Sequence, residues 1–166
     1  YRMRTELDAP VEAPALPDGL VLRPFDEARD AQAVYETHME TFADHWGSER
    51  DSFEEWSHYF LKAPDTDPTL WLIAYDGNEI AGICLNSPYG ESDPQMAYTN
   101  VLGVRRNWRK HGLGSALLKR SFALFQERGF KRASLGVDAS SLTNAVALYE
   151  RAGMHVQERT LAYRKM

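Results

Sequence analysis

The chain has 166 residues, 43% of them hydrophobic and 26% charged, with one cysteine and a formal net charge of -5. That length fits one domain able to bury a substantial core without staples, and the lone Cys84 excludes an internal disulfide or a cysteine metal cluster and makes a reducing cytoplasm the expected compartment. No run of about 18 apolar residues and no basic-then-apolar leader occurs, so neither a membrane span nor secretion is expected. The chain opens on Tyr1, as a fragment or a processed product would.

Charge is unevenly distributed. Residues 1–100 hold 20 acidic and 6 basic side chains, whereas residues 101–166 hold 4 and 13. A basic half suits a polyanionic ligand and an acidic half a cationic partner, although solvated faces would produce the same counts. Nucleic acid is not an expected partner, because the acidic half would repel its phosphates.

Tyr1 to Leu7 reads as a short strand, and the proline-rich, acidic stretch after it as an extended linker. Residues 1–19 are therefore taken as an N-terminal extension and 20–166 as the domain proper. The opening YRMR echoes the closing AYRKM at Ala162 to Met166, which would make Tyr1 to Leu7 the last strand of a preceding, similar domain unless the short match is chance. Leu20 to Phe25 alternates as a first strand. Asp30 is placed as the cap of a helix with Ala31, Val34, Tyr35, His38 and Phe42 on its apolar face. Ser52 and Glu55 have capping-box spacing at the head of a second helix whose apolar face is Phe53, Trp56, Tyr59 and Phe60. Between these helices lies Ala43 to Arg50, a loop rich in functional side chains.

Leu70 to Tyr75 and Glu79 to Leu85 form a hairpin about Asp76-Gly77-Asn78, and Asn86 to Gln95 reads as a loop. Met96 to Val104 is a buried strand. A basic turn then leads to Gly112 and Gly114 and to a helix, Leu113 to Phe125, closed by Gly129. Ala133 to Val137 is a strand, Leu142 to Arg151 a helix closed by Gly153, and Met154 to Met166 one or two strands. The order β-α-α-β-β-β-α-β-α-β-β describes a mixed α/β sheet flanked by helices.

A glycine-bearing turn at a helix N-terminus is a phosphate site in outline: its amides converge on the positive end of the helix dipole. The Walker pattern fails, because Gly114 is followed by Ser115-Ala116-Leu117, and two glycines are too few for a dinucleotide fingerprint. Arg109-Lys110-His111-Gly112-Leu113-Gly114 resembles the Arg/Gln-x-x-Gly-x-Gly/Ala motif of the GCN5-related N-acetyltransferases (GNAT). Leu148-Tyr149-Glu150-Arg151-Ala152-Gly153-Met154 resembles that family's second motif, and the linker is similar to the middle of two-domain members of the mycothiol synthase type.

The resemblance implies acetyl-CoA as cofactor. Its pyrophosphate would lie on the amides of Arg109, Lys110, His111, Gly112, Leu113 and Gly114 with Ser115 at the helix start, and its pantetheine along Leu102, Gly103 and Val104. The side chains of Arg105, Arg106, Arg109 and Lys110 are further candidates for the phosphates. The acetyl group would pass to the amine by direct attack in a ternary complex, and Tyr149 would protonate the departing sulfur or would merely pack beneath the cofactor. The asparagine that the family often has seven residues before this tyrosine is Leu142 here, so Asn144 or Ser141 would have to replace its contact.

A glutamate common in the family is replaced by Tyr98. The acceptor site is therefore assigned to Asp44, His45, Trp46 and Tyr98, with His38 and Glu40 on the preceding helix as other candidate bases. The remaining histidines have no paired ligand spacing, and no metal is expected. The expected activity is N-acetylation of a small, cationic amine or an aminoacyl acceptor. A degenerate, non-catalytic CoA-binding or partner-binding half of a tandem protein is the alternative, and a second such domain or a homodimer is the expected protein partner.

Overall fold

The structure is a computed structural model that describes residues 2–42, 52–64, 66–136 and 145–158, with only the backbone considered at 42, 145, 146 and 156–158. Its elements are β1 (Arg2–Glu6), β2 (Leu20–Arg23), α1 (Glu27–Phe42), α2 (Phe53–Phe60), β3 (Leu72–Asp76), β4 (Glu79–Pro88), β5 (Met96–Val104), α3 (Leu113–Glu127), β6 (Arg132–Gly136), α4 (Ala145–Arg151) and β7 (His155–Glu158). They build a seven-stranded sheet in the order β2-β3-β4-β5-β6-β1-β7. Every pairing is antiparallel except β5 with β6. That parallel pair is joined through α3, as a crossover requires.

One face of the sheet is covered by α1 and α2. Val34, Tyr35 and Trp56 pack there on Trp71, Ile73, Ile83 and Val101. The other face is covered by α3, whose Leu113, Leu117, Leu118, Phe122 and Phe125 are buried, in keeping with the broad apolar face of its sequence. The predicted capping box at Ser52 and Glu55 is formed in both directions, and the Gly77 turn closes the β3–β4 hairpin with a φ of 63°.

Several local expectations are corrected. Helix α1 begins at Glu27, three residues before the predicted cap, because Asp26 Oδ1 accepts the Arg29 amide at 3.3 Å. Asp30 turns inward: its carboxylate receives Tyr75 Oη at 2.6 Å and the Arg29 guanidinium at 2.8 and 2.9 Å, joining α1 to β3. Tyr59 is 73% exposed rather than part of the α2 core face. Residues 86–88 continue β4 instead of starting a loop, because they find partners in Thr99, Tyr98 and Ala97 of β5.

Strand β1 lies between β6 and β7 and is antiparallel to both, with Met3 fully buried. The chain then returns along α3, where Gln126 bonds Val11 N and Ala9 O and Arg120 bonds Pro14 O.

Candidate active site

The site begins where β5 parts from β6. Among the described residues, pairing between them runs from Met96↔Arg132 to Thr99↔Leu135, while β5 continues to Val104. At the same level the β4–β5 register slips: Leu85 faces Val101 but Asn86 faces Thr99, leaving Asn100 as an extra residue on β5. This is a β-bulge, which bends and twists its strand. Along residues 100–104 the edge of β5 that faces away from β4 therefore has no strand partner among the described residues. Backbone donors and acceptors left in that state are ready to pair with an extended ligand.

Beyond Val104 the basic turn is held by three side chains. Arg105 meets both Glu40 oxygens at 3.1 Å and bonds Ile80 O, Trp108 Nε1 donates to Asp76 Oδ2 at 2.9 Å, and Arg109 Nε donates to Val104 O at 2.9 Å. Arg105 is thus committed to tying the turn to α1 and β4. The turn closes through Lys110 and Gly112, with φ values of 69° and 84°, a left-handed conformation that strongly favours glycine. Ala116 is the first amide of α3 with a backbone acceptor, Gly112 O at 3.0 Å. The amides ahead of it are those that a helix N-terminus leaves for an anion.

Two glycines of this region have different reasons. A Cβ on Gly103 would stand 2.5 Å from Thr41 Oγ1, so glycine at 103 is required by the close crossing of α1. A Cβ on Gly114 would meet Val104 and Leu148 only at 3.7 and 3.8 Å. Among the described residues, neither packing nor a positive φ requires glycine at 114. Glycine there also leaves room for close approach of a ligand to the backbone, so these residues fit a pyrophosphate seated on the turn.

Tyr149 is carried by α4, whose end has Met154 N bonded to Tyr149 O and Gly153 N bonded to Glu150 O, with Gly153 at φ 101°. This helix stop explains the glycine of the second motif. The phenol packs against the core on the α3 side. Burial, with a smaller contribution from Cys84, raises its pKa to about 12, so it stays protonated at neutral pH.

On the α1–α2 side of the bulge lie two cavities, of about 330 and 480 Å³, that share Ser87 and Asn100. The first is bounded by Arg2, Tyr89 and Tyr98, and the second by His58, Lys62 and Trp71. Tyr98 reaches across the fork, its hydroxyl 2.9 Å from where a Cβ on Gly136 would stand. Among the described residues no carboxylate lines either cavity. Of the other candidate bases, Glu40 is paired with Arg105, and His38 Nδ1 accepts Trp56 Nε1 at 3.0 Å. Asp44, His45, Trp46, Ser141, Leu142 and Asn144 lie outside the described residues. Sequence reasoning missed Asn100, Ser87 and the Trp108–Asp76 and Arg105–Glu40 anchors. The adjacent polar pair Thr99-Asn100 inside an apolar strand was a signal for the bulge, whereas the anchors join residues 32 and 65 positions apart.

The fold thus brings an open strand edge and a glycine turn at a helix N-terminus together with a half-buried phenol on α4. The acetyltransferase (GNAT) family model matches residues 31–154, and the chain belongs to that family. It is 32% identical to the mycothiol acetyltransferase of Thermobispora bispora, over 99% of this chain and 56% of that protein. It is also similar to the crystal structure of a GCN5-related N-acetyltransferase from Sphaerobacter thermophilus, with TM-score 0.81 and 36% identity, covering 95% of this chain and 48% of that one. The NatC complex bound to Gag peptide and CoA shares the fold at TM-score 0.69 and 23% identity, covering 87% of this chain and 89% of that one. The chain spans about half the length of the curated relatives it matches.

Proposed function

We propose that the chain is an acetyl-CoA-dependent N-acetyltransferase acting on a small amine or aminoacyl acceptor by direct transfer in a ternary complex. The observation that carries this reading is the edge of β5, unpaired among the described residues, ending at a glycine turn where no described side chain crowds Gly114. Acetyl-CoA, when bound, supplies a thioester whose acyl carbon an amine can attack.

The chain's own groups do the rest. The amides of residues 110–115 would hold the pyrophosphate, and the edge at Leu102 to Val104 would align the pantetheine arm. A strand amide beyond Asn100 would donate to the thioester oxygen as negative charge develops there. Tyr149 would give its proton to the departing sulfur. The acceptor enters as a neutral amine between Tyr98 and the Ser87–Asn100 pair, and with His38 and Glu40 committed elsewhere its proton leaves through water. The described cavity walls favour an acceptor with a neutral or anionic body. A cationic acceptor depends on the acidic Ala43 to Arg50 loop, with Asp44, His45 and Trp46.

We further propose that residues 20–166 form the acetyltransferase domain, its sheet completed by β1 from residues 1–19, and that this strand is the closing strand of a preceding, similar domain. The greater length of the relatives supports the preceding domain.

The test is thermal stabilisation by acetyl-CoA, followed by thiol release with glucosamine, putrescine and leucinamide. At a hundredfold excess over Kd the ligand adds about 2.7 kcal/mol, roughly 5–10 °C for a domain of this size. Gly114→Ala should fold normally and lose most of that stabilisation. Stabilisation without thiol release from any amine would select the non-catalytic CoA-binding half, and no stabilisation would overturn the CoA assignment.

A further inference from the structure

The bulge and the fork coincide. Among the described residues Thr99 is the last of β5 paired with β6, it faces Asn86 of β4, and the extra residue Asn100 follows it directly. A buried polar network stands under this point, on the α3 face of the sheet. Thr99 Oγ1 donates to Asn86 Oδ1 at 2.7 Å, and the Asn86 amide donates to Leu70 O at 2.8 Å and Ser121 Oγ at 3.0 Å. Ser121 Oγ lies 2.9 Å from Leu117 O and 3.2 Å from Cys84 Sγ, and the Cys84 thiol points at Asn86 Oδ1 from 3.5 Å.

Asn86, Ser121 and Cys84 are fully buried and Thr99 is 5% exposed. Four apolar side chains would fill the same space without the cost of desolvating polar groups. What the network adds is direction. It ties β5, at the residue before the bulge, to β4, to α3 and to the turn carrying Leu70.

We propose that Asn86 and Thr99 are positioning residues for acyl transfer. They pin the bulge at Asn100, and so fix the line along which β5 leaves β6 and the orientation of the strand amides beyond it. The catalytic consequence rests on the CoA reading above, because those amides are the ones that face the thioester carbonyl. The geometric consequence does not.

Two substitutions at one position separate positioning from packing. Thr99→Val keeps the volume and loses the hydroxyl, whereas Thr99→Ser keeps the hydroxyl and loses a methyl group. Packing ranks valine above serine, and positioning ranks serine above valine. Amide hydrogen exchange of the ligand-free protein is compared at residues 100–104 and along α3, with Asn86→Leu as a second route to the same loss. Thr99→Val and Asn86→Leu should each speed exchange at 100–104 at least tenfold with less than threefold change along α3, and Thr99→Ser should stay within threefold at both.

With whichever of glucosamine, putrescine and leucinamide is turned over fastest, Thr99→Val should lower kcat at least tenfold at an acetyl-CoA KM within threefold of wild type, and Thr99→Ser should restore kcat. Exchange that rises equally in strand and helix, exchange that does not change at 100–104, or a serine variant looser or slower than the valine variant would overturn the proposal. A wild-type protein that binds no acetyl-CoA would instead sink the CoA reading and leave the exchange comparison to decide the geometric claim.

Discussion

Tyr149 gathers the residue-scale argument. A phenol that is to donate a proton to a thiolate must stay protonated while the enzyme turns over, and burial raises its pKa to about 12. General acid assistance is commonly worth about 10²–10⁴-fold. Tyr149→Phe keeps the ring in the core and removes only the proton donor. Its kcat should fall at least tenfold with the acetyl-CoA KM within about threefold of wild type, read by thiol release. Undiminished turnover would remove Tyr149 as the acid and leave it as packing. Cys84 is different in kind: burial pushes its thiol up to about 11, where it is a neutral member of the Asn86 network rather than a nucleophile.

At the scale of elements, the basic turn between β5 and α3 is held by the packing of Trp108 on the Leu113–Leu117 cluster, by Arg105 N donating to Ala81 O and by side chains reaching out of it. Trp108 holds it to the end of β3 through Asp76, and Arg105 holds it to α1 through Glu40. An exposed hydrogen bond contributes only about 1 kcal/mol to global stability, yet ordering the turn before ligand arrives lowers the entropic cost of binding. Trp108→Phe should therefore weaken acetyl-CoA about three- to tenfold by calorimetry while lowering Tm by no more than a few degrees. Unchanged affinity would show that the turn needs no such anchor.

For the whole molecule, the union of α1 with the sheet rests partly on one buried carboxylate. The Arg29 guanidinium, with help from the Tyr75 hydroxyl and the Asp26 amide, holds Asp30 well below its ordinary 3.8, at about 2. A carboxylate with a depressed folded-state pKa adds stability that is fully present above the unfolded value and is lost as pH falls through the folded one. The loss should run from about pH 4 down to about pH 2 and amount to at most about 2 kcal/mol. Asp30→Asn should lower Tm at pH 7 and flatten that part of the Tm profile. A variant with the wild-type acid profile would place the acid sensitivity elsewhere.

The elements themselves were legible in the chain because their signals are local. The Ser52–Glu55 box, the Gly77 turn, the buried run Met96 to Val104 and the Gly112–Gly114 pair each act within a few residues, and the two motifs carried the family. Asp30 was misassigned as a cap because its partner Tyr75 lies 45 residues away. By the same reasoning no local pattern could show that β1 enters the sheet between β6 and β7, that Thr41 is what requires Gly103 to be glycine, or that Asn86 and Thr99 meet beneath the bulge. The sequence by itself determined most of the strands and helices and the glycine turn, through hydrophobic periodicity and backbone conformation. Only the tertiary structure decided where β5 parts from β6 and which side chains face the opening, because those depend on register between strands distant in the chain and on which buried polar groups find partners there.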